Sequence, residues 1–137
     1  MFTSLVPFAS PDDQDQILRS LRVLTFFVTT TCNAKCETCF YADNLNDELV
    51  KLLSLDEIEQ IARNMPRFNH LLFSGGEPVM RKELPEIASI FAKHSGICSI
   101  DMPTNGLLPK RVIEVATGSF FYDYDKLKTC YGHVAAN

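Results

Sequence analysis

The chain has 137 residues, 46% of them hydrophobic and 22% charged, a globular composition that excludes disorder as a whole-chain description. Thirteen Lys and Arg against seventeen Asp and Glu give a formal charge of -4, and no basic run exceeds two residues, so nothing points to nucleic acid or to an anionic membrane. At roughly 150 residues per domain the length is that of one domain, well short of the about 250 residues of a complete eight-stranded (β/α) barrel.

The elements follow in chain order. Ser10-Pro11-Asp12-Asp13 predicts a helix start, with a Ser cap, Pro in the first turn and acids at the positive end, running to about Arg19. Leu21 to Thr29 is β-branched, aromatic and nearly continuous in apolar character, which predicts a strand buried on both faces. A polar loop holding three cysteines comes next. Ser54 with Glu57 forms a capping box, and Ile58, Ile61, Ala62 and Met65 lie at helical spacing before Pro66 ends the helix.

His70 to Phe73 predicts a second strand, running into the loop Ser74-Gly75-Gly76-Glu77-Pro78. A helix is expected from about Lys82 to His94, with Leu84, Ile87, Ala88 and Phe91 on one stripe and Gly96 closing it. Ile97 to Met102 predicts a third strand, Pro103-Thr104-Asn105-Gly106 a turn, and Lys110 to Ala116 a third helix. Strands alternating with helices predict an α/β fold with a parallel sheet, whose strand-ending loops share one edge. In such folds that edge carries the active site. After Gly118 the pattern breaks.

Five cysteines are an odd number and unevenly placed: Cys32, Cys36 and Cys39 fall within eight residues, while Cys98 and Cys130 stand apart. A secreted disulfide scaffold would be denser and even in number. The N-terminus has no basic region of the signal-peptide kind, and no stretch nears 18 apolar residues, so a membrane span is excluded and a reducing, cytoplasmic setting is expected. Cys98 reads as a buried apolar residue of the third strand, and His70 and His94, at element ends, as solvated.

Three thiolates in one short loop can converge on one metal centre. Zinc wants a fourth protein ligand, and no second pair supplies one. A cubane iron–sulfur cluster can take three cysteines and leave one iron open, so the spacing favours that cluster. CNAKCETC after an apolar strand, followed by GGEP after the next strand and TNG after the third, resembles the radical S-adenosylmethionine (radical SAM) superfamily over roughly residues 22 to 116.

The resemblance implies the N-terminal portion, about three β/α units, of a partial (β/α)6 barrel. It implies a [4Fe–4S] cluster on Cys32, Cys36 and Cys39, with S-adenosylmethionine on the open iron. One electron would cleave the sulfonium to a 5′-deoxyadenosyl radical, which abstracts hydrogen from substrate. Gly75, Gly76 and Glu77 would meet the methionine end of the cofactor, where glycines allow close backbone approach and a carboxylate complements an ammonium. Thr104 and Asn105 match a polar turn near the cofactor. Thr38 holds the position before the third cysteine, near the adenine, where the family often has an aromatic; Phe40 and Tyr41 follow it.

No catalytic residue is implied beyond the cluster and cofactor ligands. The implied partners are a one-electron donor such as flavodoxin or ferredoxin and a peptide or small-molecule substrate. The expected organisation is an N-terminal extension over 1–20, a truncated core over 21–118 and an atypical tail over 119–137. Three of six units are countable, and the incomplete barrel counts against catalytic activity. Two readings compete with the enzyme: a non-catalytic iron–sulfur-binding fragment and a small zinc-binding module.

Overall fold

The computed structural model describes residues 21–119. The expected helix after Ser10, the extension over 1–20 and the tail beyond residue 119, with Cys130 and His133, lie outside the described residues. Strand β1 is Val23–Thr29, helix α1 Leu55–Asn64, strand β2 His70–Gly75, helix α2 Leu84–Ser95, strand β3 Ser99–Asp101 and helix α3 Pro109–Ser119. Single 3-10 turns occupy Ala42–Asn44 and Pro78–Met80. The three strands lie in the order β1-β2-β3, both pairs parallel. This is the α/β arrangement the alternation predicts.

The helix boundaries follow the sequence signals to within about three residues. Ser54 and Glu57 form the reciprocal capping box of α1, and Met65 follows as its C-cap before Pro66. Helix α2 starts two residues later than expected, with Pro85 in its first turn, where a missing N–H costs nothing. Its C-cap, Gly96, takes a left-handed backbone at φ +70°. Strand β3 is shorter than expected because pairing with β2 spans only Ser99 to Asp101. Cys98 precedes it and is half-buried, donating its backbone N–H to the Asn69 carbonyl.

The register divides the sheet into two unlike faces. Leu24, Phe26, Leu71, Phe73 and Ile100 share one face with the helices, in a core completed by Ile58, Phe68, Ile87, Phe91 and Val115. Phe91 packs edge-on against Phe26 at 5.2 Å and Phe68 at 6.0 Å between ring centroids. The opposite face carries Val23, Thr25 and Phe27 of β1, beside His70, Leu72 and Ser74 of β2. Val23 and Phe27 are exposed there, which corrects the expectation of burial on both faces: helices cover one face, while on the other Val23 stands open and Phe27 meets the rings of Phe40 and Tyr41.

The histidines are also not solvated ends. His70 bridges β2 to β3, with Nδ1 2.6 Å from Ser99 Oγ and Nε2 3.0 Å from Asp101 Oδ2. His94 Nε2 lies 3.0 Å from Glu59 Oε1, joining α2 to α1. Hydrogen bonds from Arg63, then His94, hold the Glu59 carboxyl below its usual pKa. No described helix is long and apolar enough to cross a membrane.

The capping box gives a direct check. The Ser54 backbone N–H, and then its hydroxyl, hold Glu57 below its usual carboxylate pKa. Ser54→Ala should lower the unfolding free energy in urea at neutral pH by ~1 kcal/mol. Glu57 supplies its share above the unfolded-state pKa and loses it as pH falls through the lowered folded-state value. The gap between wild type and Ser54→Ala should therefore narrow on acidification through the carboxylate range.

Candidate cofactor site at the strand ends

Parallel strands bring the C-terminal ends of β1, β2 and β3 to one edge, and with them the segments 30–46, 76–81 and 102–108. The first two segments touch through their backbones. Gly76 N–H donates to the Thr29 carbonyl and Glu77 N–H to the Thr31 carbonyl, both at 2.8 Å. These bonds continue the β1–β2 ladder past the end of the strands.

The glycines make that approach feasible. A Cβ on Gly75 would lie 2.2 Å from the Thr29 carbonyl oxygen, and one on Gly76 2.2 Å from that of Thr31. Gly75 also has φ +115°, a conformation that side chains rarely adopt. Expected to let the backbone approach a ligand, the pair here lets one loop close on the other, since loop backbone already stands where each Cβ would go.

Glu77 joins the third segment to the first two. Its side chain is 2% exposed, and Oε2 accepts the Asn105 N–H at 2.7 Å, while Oε1 is buried with no hydrogen-bond partner. Asn105 then reaches the cysteine loop: Nδ2 donates to Asn33 Oδ1 at 2.8 Å and lies 3.9 Å from Cys32 Sγ. Its own Oδ1 accepts the Leu107 N–H. Thr104 is exposed and its hydroxyl accepts the Gly106 N–H, so it shapes the turn.

The three cysteines are free thiols on this loop, Cys36 exposed, Cys32 and Cys39 half-buried. Cys39 N–H donates to the Cys36 carbonyl at 3.2 Å, closing a turn with exposed Thr38 inside it. Among the described residues no group of three His, Cys, Asp or Glu side chains is arranged to hold a metal ion, so the thiols share the loop without converging. Metal ligation commonly completes such a loop rather than finding it finished. Three soft thiolate donors on one loop suit iron–sulfur chemistry. A buried carboxylate oxygen without a partner, on a side chain tied to the cysteine loop through Asn105, suits a cationic group. The residues therefore fit a cluster together with an ammonium-bearing cofactor.

Arg81 and Asn46 carried no signal in the sequence. Arg81 is buried: Nη1 donates to the Val28 carbonyl at 2.9 Å and Nη2 to that of Leu53 at 2.6 Å, fastening the stretch that leads into α1 to β1. Asn46 is bonded to the backbone of Cys32. Phe27, Phe40 and Tyr41 form an aromatic group with centroids 5.3–6.5 Å apart on the open face, and Phe40 is 81% exposed. A cleft of ≈ 130 Å³ between Tyr41, Leu53 and Arg81 is too small for a nucleoside cofactor, given the roughly 300 Å³ that ligand sites start from.

A family model described as "Radical SAM superfamily" matches residues 26–120. A probable GTP 3′,8-cyclase of Methanococcus maripaludis is 38% identical over 97 residues, covering 69% of this chain and 32% of the relative. The GTP 3′,8-cyclase of Staphylococcus carnosus is 34% identical over 104 residues, or 71% and 31%. That of Staphylococcus aureus is 32% identical over 105 residues, or 72% and 31%. The chain thus spans about a third of the length of the curated relatives it matches. No solved structure matches.

The loop closure predicts its own mutants. Gly75→Ala and Gly76→Ala should each lower the unfolding free energy by ~1–3 kcal/mol, because backbone oxygens cannot give way as a flexible side chain could. Denaturant titration at neutral pH checks this, and a loss within error of zero for both would contradict the packed-loop account.

Proposed function

Because the chain belongs to the radical SAM superfamily, we propose that residues 21–119 form the part of such a protein that holds a [4Fe–4S] cluster and S-adenosylmethionine. One observation carries this reading: the buried Glu77 carboxylate and Asn105 tie the GGEP and TNG segments to the cysteine loop at a single sheet edge. Cys32, Cys36 and Cys39 would supply three thiolates and leave one iron for a non-protein ligand. When bound, the cluster and cofactor supply one-electron cleavage of a sulfonium to a 5′-deoxyadenosyl radical that takes hydrogen from substrate.

This chain's residues bind and orient. Oε1 of Glu77, without a donor of its own, is the acceptor for the ammonium of the methionine end. Gly75 and Gly76 keep the segment bearing that carboxylate against the cysteine loop. Thr104 and Asn105 line the third side. Thr38 lies in the turn between Cys36 and Cys39, and the rings of Phe40 and Tyr41 next to it offer the flat apolar surface that an adenine takes.

The relatives' named activity makes GTP the first substrate to test, with a peptide or another small molecule as the alternative class. A flavodoxin or ferredoxin would deliver the electron, in a cytoplasmic setting. The uncovered face bearing Val23 and Phe27 favours a second reading, in which the chain by itself binds the cluster without completing a pocket for chemistry.

One assay separates these readings. After anaerobic reconstitution with iron and sulfide, reduction in the presence of S-adenosylmethionine should yield 5′-deoxyadenosine from the wild-type chain and only background from Cys36→Ala. A cluster that forms without any 5′-deoxyadenosine would support the non-catalytic reading. Stoichiometric zinc without sulfide would overturn both in favour of a zinc module.

A further inference from the structure

The three cysteines are not held alike. Cys36 and Cys39 are linked to each other by one backbone hydrogen bond, and Ala42 N–H donates to the Cys39 carbonyl; all these contacts stay within the loop. Cys32 is tied instead to a residue at the far end of the same segment. Its backbone N–H donates to Asn46 Oδ1 at 3.0 Å, and its carbonyl accepts from Asn46 Nδ2 at 3.2 Å. Asn46 is itself anchored, its backbone N–H donating to the Thr30 carbonyl at 2.9 Å. One amide side chain, fourteen residues away in sequence, thus pairs with Cys32 as a neighbouring strand would, extending the β1 pattern beyond Thr29.

Asn46 adopts φ +57°, the sole positive φ among the described non-glycine residues. Asn tolerates the left-handed region better than most residues, at some cost. That conformation coincides with the two-point contact on Cys32. The Cys32 sulfur is already provided with donors, from Ala34 N–H at 3.4 Å and Asn105 Nδ2 at 3.9 Å.

We infer that Asn46 is a positioning residue that fixes Cys32 as the pre-set ligand of the cluster, onto which the Cys36–Cys39 turn closes. The inference rests on the cluster-binding reading above and adds an order to it: one ligand is placed by the fold, and two arrive together. Groups behind metal ligands commonly change metal affinity by about 10- to 100-fold. Hydrogen bonding and charge next to a ligating cysteine also move the potential of a cluster.

Two substitutions in the full chain isolate the amide. Asn46→Gly keeps the left-handed backbone without strain and deletes both hydrogen bonds. Asn46→Asp keeps the acceptor for Cys32 N–H, loses the donor to its carbonyl and adds a negative charge. In the metal-free chain, hydrogen exchange at the Cys32 amide should speed up by about tenfold in Asn46→Gly and stay near wild type in Asn46→Asp. In the reconstituted chain, loss of iron to a chelator should be about 10-fold faster or more in Asn46→Gly. The cluster potential should become more negative in Asn46→Asp through its added charge beside Cys32, while chelator resistance stays nearer wild type than in Asn46→Gly because the bond to the Cys32 N–H is kept.

Unchanged exchange at Cys32 in Asn46→Gly overturns the clamp. Equal chelator resistance and equal potentials in all three chains, with wild type loaded, overturn the positioning role while leaving cluster binding intact. A wild-type chain that takes up no iron and sulfide overturns the cluster reading and the positioning role with it, whatever the exchange data show.

Discussion

The close approach of the backbone after β2 to the backbone after β1 is the constraint on which the site depends. With 2.2 Å between a would-be Cβ and a carbonyl oxygen at both Gly75 and Gly76, only glycine lets these segments lie ladder to ladder. That contact buries Glu77, and the buried carboxylate captures the Asn105 N–H at the end of the third strand. Asn105 closes the circuit to Asn33 and Cys32. The sheet brings three loops to one edge by topology alone; this chain of short contacts makes them one site.

The same edge explains the asymmetry among the cysteines. Arg81 holds the segment around Leu53 to the end of β1, and Asn46 holds Cys32 to the extension of β1. Between Cys32 and Asn46, the hydrogen bonds of the Cys36–Cys39 turn come from the loop's own backbone, and Cys36 is exposed. A cysteine fixed by the fold beside two on a separate turn suits the proposed centre, whose assembly would couple to local folding.

Much of this was legible from residue order. The capping box at Ser54 and Glu57, Pro66 and Gly96 as helix ends, and the alternation of strands with helices locate the elements to within a few residues, because each is a local signal. The CX3CX2C, GGEP and TNG segments could be placed at strand ends for the same reason. What failed was non-local. The apolar run in β1 reads as buried on both faces, whereas Val23 and Phe27 face outward; composition records that a face is apolar, not what covers it. His70 and His94 looked like solvated ends because their partners Ser99, Asp101 and Glu59 are remote in sequence. Asn46 and Arg81 act on backbone atoms 14 and 53 residues away, contacts that no periodicity encodes. The glycines of GGEP, read as admitting a ligand, also seat two loops against each other, a contact between segments more than forty residues apart.

The central claim is that these loops together hold a cluster whose open iron takes S-adenosylmethionine. Electron paramagnetic resonance of the anaerobically reconstituted and reduced chain, recorded with and without S-adenosylmethionine, tests it most directly. The account predicts a reduced [4Fe–4S] signal whose g-values shift when the cofactor is added. A signal identical in both samples, or no iron–sulfur signal at all, would contradict it.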